Sequence, residues 1–178
     1  MPETRTAPRA AVTPVGPLGM IVLRGDLATL APAVEAETGC AAPEQRMLTR
    51  SGEAACLWMS PDELLLTCPH GEARGLARRL AERLTGEFAT VAEVSDARVA
   101  FDMAGPQADA ALARLTPANL REIAPAEVRR SRLAQVAGAF WREGDGWRIV
   151  CFRSVGTYVE TLLRNAAGEV LVRQEHGF

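Results

Sequence analysis

Lysine is absent from this chain, and arginine supplies all 20 of its basic residues. The formal net charge is only −2, so bulk electrostatics favours neither a nucleic acid nor an anionic membrane as a partner. A codon bias of the genome is the simplest cause of the missing lysine. Because arginine makes bidentate contacts to carboxylates, a protein-binding surface is a second interpretation.

Long apolar runs are also missing. No window holds the roughly 18 consecutive apolar residues that a membrane-spanning helix needs. The first 17 residues contain four prolines and no continuous apolar core, so they do not resemble a secretory signal. We therefore predict a cytoplasmic protein without a membrane partner, and a mobile N-terminal arm over residues 1–17. The alternative is an arm that becomes ordered against a partner.

The cysteines lack the spacing of a metal site. Cys40, Cys56, Cys68 and Cys151 form no Cys-x-x-Cys pair and no zinc-ligand pattern. All except Cys40 lie in apolar segments that are typical of strands, where a reduced cysteine behaves as a small buried hydrophobic residue. We expect the cysteines to be structural.

Histidine offers few candidates for catalysis, because only His70 and His176 are present. A Cys68–His70 dyad is conceivable, but Pro69 interrupts the strand that would align the two side chains. His176 is expected to be solvent-exposed in a terminal tail. The chain also contains no glycine-rich phosphate loop and no dinucleotide-binding fingerprint.

Three carboxylates, Glu93, Asp96 and Asp102, lie nearest to a possible pocket. Catalytic carboxylates usually occur in pairs or in desolvated clefts, whereas Asp96 is well placed to bond backbone amides in a turn. We therefore favour structural roles for them. The sequence predicts no catalytic, cofactor-binding or metal-ligating residue in this chain.

A repeated pattern is the most informative feature that is present. Trp58 precedes Cys68 by ten residues, and 83 residues further along Trp141 precedes Cys151 by the same ten. Each pair encloses an apolar segment, a polar turn and a second apolar segment, which predicts a β-hairpin in each copy. The repeat indicates two pseudo-symmetric halves, with Trp and Cys at equivalent positions.

The 178 residues suffice for one compact domain built from these halves. Short strands ending at Gly25 and Gly105, 80 residues apart, extend the repeat upstream. We predict an α+β fold in which each half reads strand, helix, strand, strand, helix. The first half covers 18–88, and the second covers 89–178 with a C-terminal tail.

Periodicity and turn residues predict the individual elements. Four helices are expected: one from the N-cap Asp26 to Gly39, one over 71–84, one opened by Gly105-Pro106, and one capped by Ser154 or Thr157. Glu169–Arg173 alternates as a last strand or as a tail that docks on a partner. The main strands are predicted at Met20–Arg24, Ala54–Met59, Glu63–Thr67, Ala89–Val94, Arg98–Met103, Leu133–Trp141 and Gly146–Phe152.

Three ordered segments resemble a known family. Glu93–Ala108 resembles a segment of the folate-dependent aminomethyltransferases of the glycine cleavage type. Leu57–Leu66, Val94–Gly105 and Arg153–Val159 more closely resemble the gamma-subunit family of heterotetrameric sarcosine oxidases, over roughly residues 45–165.

The resemblance implies the fold of the aminomethyltransferase folate-binding domain and a supporting role beside alpha, beta and delta subunits. It implies that FAD, FMN, NAD, zinc and tetrahydrofolate belong to those partners, and that this chain binds none. The transferases carry a catalytic aspartate about where this chain has Asn119, and an amide cannot hold a proton near neutral pH.

Three alternatives remain beside a non-catalytic gamma subunit in the demethylation of sarcosine to glycine. One is the equivalent subunit of an N-methylglutamate dehydrogenase. Another is a small stand-alone folate-binding protein of the aminomethyltransferase type. The third is a structural homodimer module.

Overall fold

The computed structural model describes residues 10–168, which form ten strands and four α-helices. Short 3₁₀ turns lie at Leu120–Glu122 and Arg153–Val155. The helices are α1 (Leu27–Thr38), α2 (His70–Arg83), α3 (Ala108–Ala113) and α4 (Gly156–Ala167). The strands are β1 (Ala11–Pro14), β2 (Leu18–Arg24), β3 (Leu48–Ser51), β4 (Ala54–Ser60), β5 (Glu63–Pro69), β6 (Thr90–Glu93), β7 (Arg98–Ala104), β8 (Val128–Leu133), β9 (Val136–Glu143) and β10 (Gly146–Phe152).

The strands form two antiparallel sheets with matching order. The first sheet runs β3-β4-β5-β2-β6, and the second runs β8-β9-β10-β7-β1. Each strand of one sheet thus has a counterpart at the same place in the other. Outside the sheets, α1 and α2 correspond to α3 and α4, so the duplication predicted from the sequence is present in the fold.

One edge strand of each sheet is exchanged between the halves. β1 leads into β2 but pairs with β7 of the other sheet, with Pro14 opposite Phe101. β6 leads into β7 but pairs with β2, with Glu93 opposite Ile21. Part of the predicted mobile arm is therefore an ordered strand, because β7 offers an unpaired edge to it. Residues 1–9 lie outside the described part.

The layers are helix, sheet, sheet, helix, with an apolar core between each neighbouring pair. α1 and α2 cover the outer face of the first sheet, and α3 and α4 cover that of the second. The inner faces pack together through a third cluster, because alternate strand residues point to opposite faces. Its fully buried members include Met20, Leu57, Leu65, Trp141 and Val150.

A small antiparallel bridge joins the sheets at one point. Met47 faces Glu127, while Leu48 N–H donates to the Ala126 carbonyl at 2.9 Å. In the mirrored bond, Val128 N–H donates to the Arg46 carbonyl at 2.7 Å. Each of these residues is matched by the one 80 positions away, so the pseudo-twofold axis passes through the bridge.

The predicted equivalence of the Trp–Cys pairs is confirmed for the cysteines and wrong for the tryptophans. Cys68 and Cys151 occupy the same place, each facing the helices outside its sheet. Trp141, however, lies between the sheets opposite Arg148, and its counterpart is Leu57, opposite Leu65. The first hairpin contains an irregularity after Trp58 that adds one residue, so the tryptophan spacing coincides without structural equivalence.

Several local predictions are confirmed by the helix ends. Asp26 accepts a hydrogen bond from Ala28 N–H at the start of α1, and Gly39 ends that helix at φ +75°. Ser154 and Thr157 do not cap α4, whose N-cap Val155 has no side-chain cap bond. A preceding 3₁₀ turn leads the chain into this helix instead.

Two boundaries differ from the prediction. α3 begins at Ala108, so Pro106 belongs to the turn before the helix and not to its first turn. The predicted strand Leu133–Trp141 is split, because β8 ends at Leu133 and a turn precedes β9. β8 was not predicted, because this edge strand contains three arginines and lacks the apolar alternation of a typical strand.

Candidate functional site

A cavity of about 570 Å³ opens where the two edge strands cross between the halves. Its lining includes residues 15–17, which follow β1, and Ser95 and Asp96, which follow β6. Val15 N–H donates to the Ala100 carbonyl at 2.9 Å, and Val94 N–H donates to the Met20 carbonyl at 2.8 Å. These bonds are pseudo-symmetric, so the cavity lies at the point where the duplicated halves meet.

A side-chain hydrogen bond closes the cavity on the side of the β6–β7 linker. The Ser95 hydroxyl is buried and accepts a hydrogen bond from Met20 N–H at 3.0 Å. Ser95 N–H in turn donates to the Glu93 carboxylate at 2.9 Å. The hydrogen bonds from Ser95, and the positive fields of His70 and Arg74, lower the pKa of Glu93. Glu93 is thus a turn-stabilising carboxylate.

Arg153 holds the β6–β7 linker in place. Its guanidinium donates to the Asp96 carbonyl at 2.6 Å, to Arg98 O at 3.4 Å and to Ser95 O at 3.5 Å. The Asp96 carboxylate lies 4.0 Å from Arg153 and is 97% exposed, so solvent screens this pair. His70 and Glu160 complete the polar wall. The cavity is therefore lined by residues of both charge signs, and the guanidinium of Arg153 is used to bind backbone carbonyls.

The conceivable Cys68–His70 dyad does not assemble. Cys68 is buried and borders a depression between α1 and α2, whereas His70 lines the central cavity. Burial, with smaller contributions from Glu72 and Glu93, raises the pKa of the Cys68 thiol to about 11. A thiol with such a pKa is not an activated nucleophile.

The remaining candidates are dispersed. Asp102 accepts two hydrogen bonds from Arg148, at 2.8 and 2.9 Å, across the β7–β10 pair. Asn119 is exposed, caps the 3₁₀ turn by accepting from Arg121 N–H, and does not line the cavity. Within residues 10–168, no three His, Cys, Asp or Glu side chains group as metal ligands. His176 and Glu169–Arg173 fall outside the described residues.

Sequence patterns did not predict the cluster of arginines around Glu63. Glu63 is the first residue of β5 and is buried, and Arg24 contacts its carboxylate at 2.5 Å. Arg130 and Arg98 follow at 3.7 and 3.9 Å, both from the second sheet. Burial, together with the neighbouring Arg130 and Arg24, lowers the pKa of Arg98 while Glu63 opposes that change. The four residues lie far apart in sequence, so only the folded sheets bring them together.

No helix within residues 10–168 has the length and hydrophobicity to cross a membrane.

Comparison with solved structures reveals close similarity of fold. A chain of the heterotetrameric sarcosine oxidase from Corynebacterium sp. U-96, in complex with pyrrole 2-carboxylate, matches with a TM-score of 0.83 and 27% identity. The match covers 92% of this chain and 87% of that one. Aminomethyltransferase T of the glycine cleavage system from Bartonella henselae has a TM-score of 0.68 at 17% identity, covering 88% and 46%. The predicted α+β fold of duplicated halves is confirmed.

Sequence relatives agree with this fold. Sarcosine oxidase subunit gamma from Arthrobacter sp. is 31% identical over 123 residues, covering 66% of this chain and 60% of the relative. The subunit gamma from Corynebacterium sp. (strain P-1) is 33% identical over 131 residues, covering 71% and 62%. The match thus spans about three fifths of the length of these relatives.

A family model also matches most of the sequence. Residues 24–169 fit the model described as sarcosine oxidase, gamma subunit family. This range contains both hairpins, the cavity linker that carries Ser95, and α4. The resemblance seen in the sequence is therefore confirmed, and the chain belongs to the sarcosine oxidase gamma subunit family.

Proposed function

We propose that this chain is the gamma subunit of a heterotetrameric sarcosine oxidase and works there without chemistry of its own. The complex oxidises the N-methyl group of sarcosine with dioxygen, giving glycine, hydrogen peroxide and formaldehyde after addition of water. Tetrahydrofolate, where present, takes the one-carbon unit as its methylene derivative. The match to the oxidase chain over 92% of this chain is the observation that carries the proposal.

The partners in this proposal are alpha, beta and delta subunits in the cytoplasm, and they hold FAD, FMN, NAD, zinc and tetrahydrofolate. Support comes from how the polar groups of this chain are used. Arg153 holds backbone carbonyls, Ser95 holds Met20, and the Cys68 thiol has a raised pKa. Groups engaged in this way stabilise a scaffold, and no pair among them matches a nucleophile with its base.

Sarcosine-dependent oxygen consumption tests the proposal. The alpha, beta and delta genes are expressed with and without this chain, and the oxidase activity of the purified assemblies is compared. The proposal is supported if assembly or activity depends on this chain. It also requires that the Cys68→Ala and His70→Ala variants give the full wild-type activity. Equal activity without the chain contradicts the proposal.

A stand-alone folate-binding protein is the second candidate. The aminomethyltransferase-like fold and the cavity of about 570 Å³ favour it, since the volume suits a small organic ligand. Calorimetric titration of the isolated chain with tetrahydrofolate separates the two. We expect no heat of binding from the gamma subunit alone, and saturable binding would favour the second candidate.

An equivalent subunit of an N-methylglutamate dehydrogenase is distinguished by the substrate of its complex. Turnover of the assembled complex with sarcosine and with N-methylglutamate decides between them. We expect sarcosine to be the better substrate.

A further inference from the structure

The inner face of the second sheet continues past the first sheet at one end. There, Arg98 on β7, Phe152 on β10, Ala137 on β9 and Arg132 on β8 form a row across four neighbouring strands. Phe152 lies opposite Arg98, and Arg132 lies opposite Ala137. We call this row the arginine strip. Its centre is open, since Phe152 is 51% exposed and Ala137 and Arg132 are exposed.

The strip lies beside a small depression with a mixed polar and apolar lining. Ala137, Gly138 and Ala139 leave room in it because their side chains are small or absent, and Phe152, Arg98 and Arg130 also line it. The Arg98 guanidinium lies 5.1 Å from the centroid of the Phe152 ring, a distance at which the cation attracts the face of the ring. An aromatic ring beside a small pocket and arginines has the composition of an interface hot spot.

The charge of this region is positive. Arg24, Arg98 and Arg130 surround the single carboxylate of Glu63, and Arg24 also contacts Asp62 at 3.4 Å. Arg132 makes no ion pair with any residue from 10 to 168. Four guanidiniums therefore face two carboxylates.

We propose that the arginine strip docks an acidic loop of one partner subunit, with an apolar side chain of that loop seated against Phe152 and Ala137. The inference rests on the proposed function and specifies the surface through which this chain joins the complex. Guanidinium groups bind carboxylates in a fixed bidentate geometry, so an acidic loop is the complementary occupant. Glu63 stabilises the site from inside, because it fixes Arg98 and Arg130 while leaving excess positive charge.

Recovery of the chain on a tagged partner subunit tests the proposal. Arg132→Glu and Phe152→Ser are each co-expressed with the alpha, beta and delta subunits. The matched controls are Arg78→Glu, on a side chain that is 76% exposed on α2, and Phe88→Ser, on a fully exposed ring elsewhere. We expect each strip variant to lower recovery about tenfold and each control to stay within about twofold of wild type. Thermal midpoints of the isolated variants verify that all four fold.

The charge of the partner is tested at the same position. If the loop is acidic, Arg132→Glu lowers recovery more than Arg132→Ala, and Arg132→Lys retains most of it. Equal effects of the Glu and Ala variants contradict an acidic partner.

The outcomes remain distinct. Failure of the wild-type chain to co-purify contradicts the proposed function, whereas normal recovery of both strip variants overturns only the docking site. Loss with Phe88→Ser or Arg78→Glu but not with the strip variants places the interface elsewhere. A change from dimer to monomer in isolated Phe152→Ser assigns the strip to a second copy of this chain and overturns the proposal.

Discussion

Gly19 and Val99 occupy equivalent positions in the two sheets. The small strand residue Gly19 faces the larger helix residue Ala73, whereas the large strand residue Val99 faces the small helix residue Gly156. Gly19 lies beneath Ala73 of α2, and a Cβ added to it would lie 2.9 Å from the Ala73 Cβ. Val99 lies beneath Gly156 of α4, where an added Cβ would meet the valine methyl at 3.0 Å. In each half the close helix–sheet contact thus depends on one glycine, which lies on the strand in the first half and on the helix in the second.

Gly19→Ala should lower the free energy of unfolding by about 1–3 kcal/mol, because the new methyl also approaches Cys68 Sγ at 2.8 Å. Urea denaturation measures the change. Gly16→Ala is the control, since nothing lies within 4 Å of an added Cβ there, and it should shift the free energy by less than about 0.5 kcal/mol. Adding Ala73→Gly should recover part of the loss. Equal stability of the two single variants would refute the packing account.

Ser95→Ala should cost about 1–3 kcal/mol of unfolding free energy, because the buried Met20 N–H loses its 3.0 Å acceptor. The same change at the exposed Ser154 should have little effect. Equilibrium unfolding of both variants provides the comparison. A stability loss no larger at Ser95 than at Ser154 would show that the linker does not depend on this hydrogen bond.

The native cysteines should resist thiol reagents at pH 8. Burial raises the pKa of Cys56 to about 12 and that of Cys151 to about 11, so the reactive thiolate is scarce. Labelling with a chromogenic disulfide reagent should be slow in buffer and should reach all four thiols in urea. Rapid modification of native Cys68 would instead revive the dyad with His70.

The stability contributed by Asp109 should depend on pH. Arg142 donates to its carboxylate at 2.6 and 2.8 Å, and Trp147 Nε1–H donates at 2.8 Å. The Arg142 hydrogen bonds lower the pKa of Asp109 below its usual 3.8, with burial opposing and Trp147 assisting. A lowered folded-state pKa stabilises the protein above the unfolded value, and this contribution is lost as the pH falls through the folded value.

Asp109→Asn should therefore be less stable than wild type at pH 7, and the difference should shrink towards about pH 2. Urea unfolding of both proteins across this range measures it, with the exposed turn variant Asp145→Asn as the control. A difference that stays constant with pH would mean that the carboxylate charge of Asp109 does not contribute.

Local chemistry made much of the fold predictable. Asp26 and Gly39 carry cap signals that act within a few residues, and the two hairpins are defined by their turns. The exchange of edge strands could not be predicted. The pairing of β1 with β7 joins residues about 90 positions apart, and no local pattern specifies it. β8 was missed because arginines replace the apolar alternation of a strand.

At the candidate site too, local features could be predicted from the sequence and contacts between distant residues could not. Burial of the cysteines could be predicted from their apolar neighbours. The turn role expected of Asp96 belongs instead to Glu93, which accepts from Ser95 N–H, while the Asp96 carboxylate is 97% exposed. The Glu63 cluster could not, since Arg24, Arg98 and Arg130 reach it from three strands in two sheets. Trp58 and Trp141 show the opposite error, in which equal spacing hid a one-residue difference between hairpins.

Native mass spectrometry of the complex purified through a tag on this chain tests the central claim most directly. The account predicts one assembly that contains this chain and three different partner subunits, and that oxidises sarcosine. A mass equal to the chain alone, or to a homodimer of it, from cells that express the partner genes would contradict membership in a heterotetrameric oxidase.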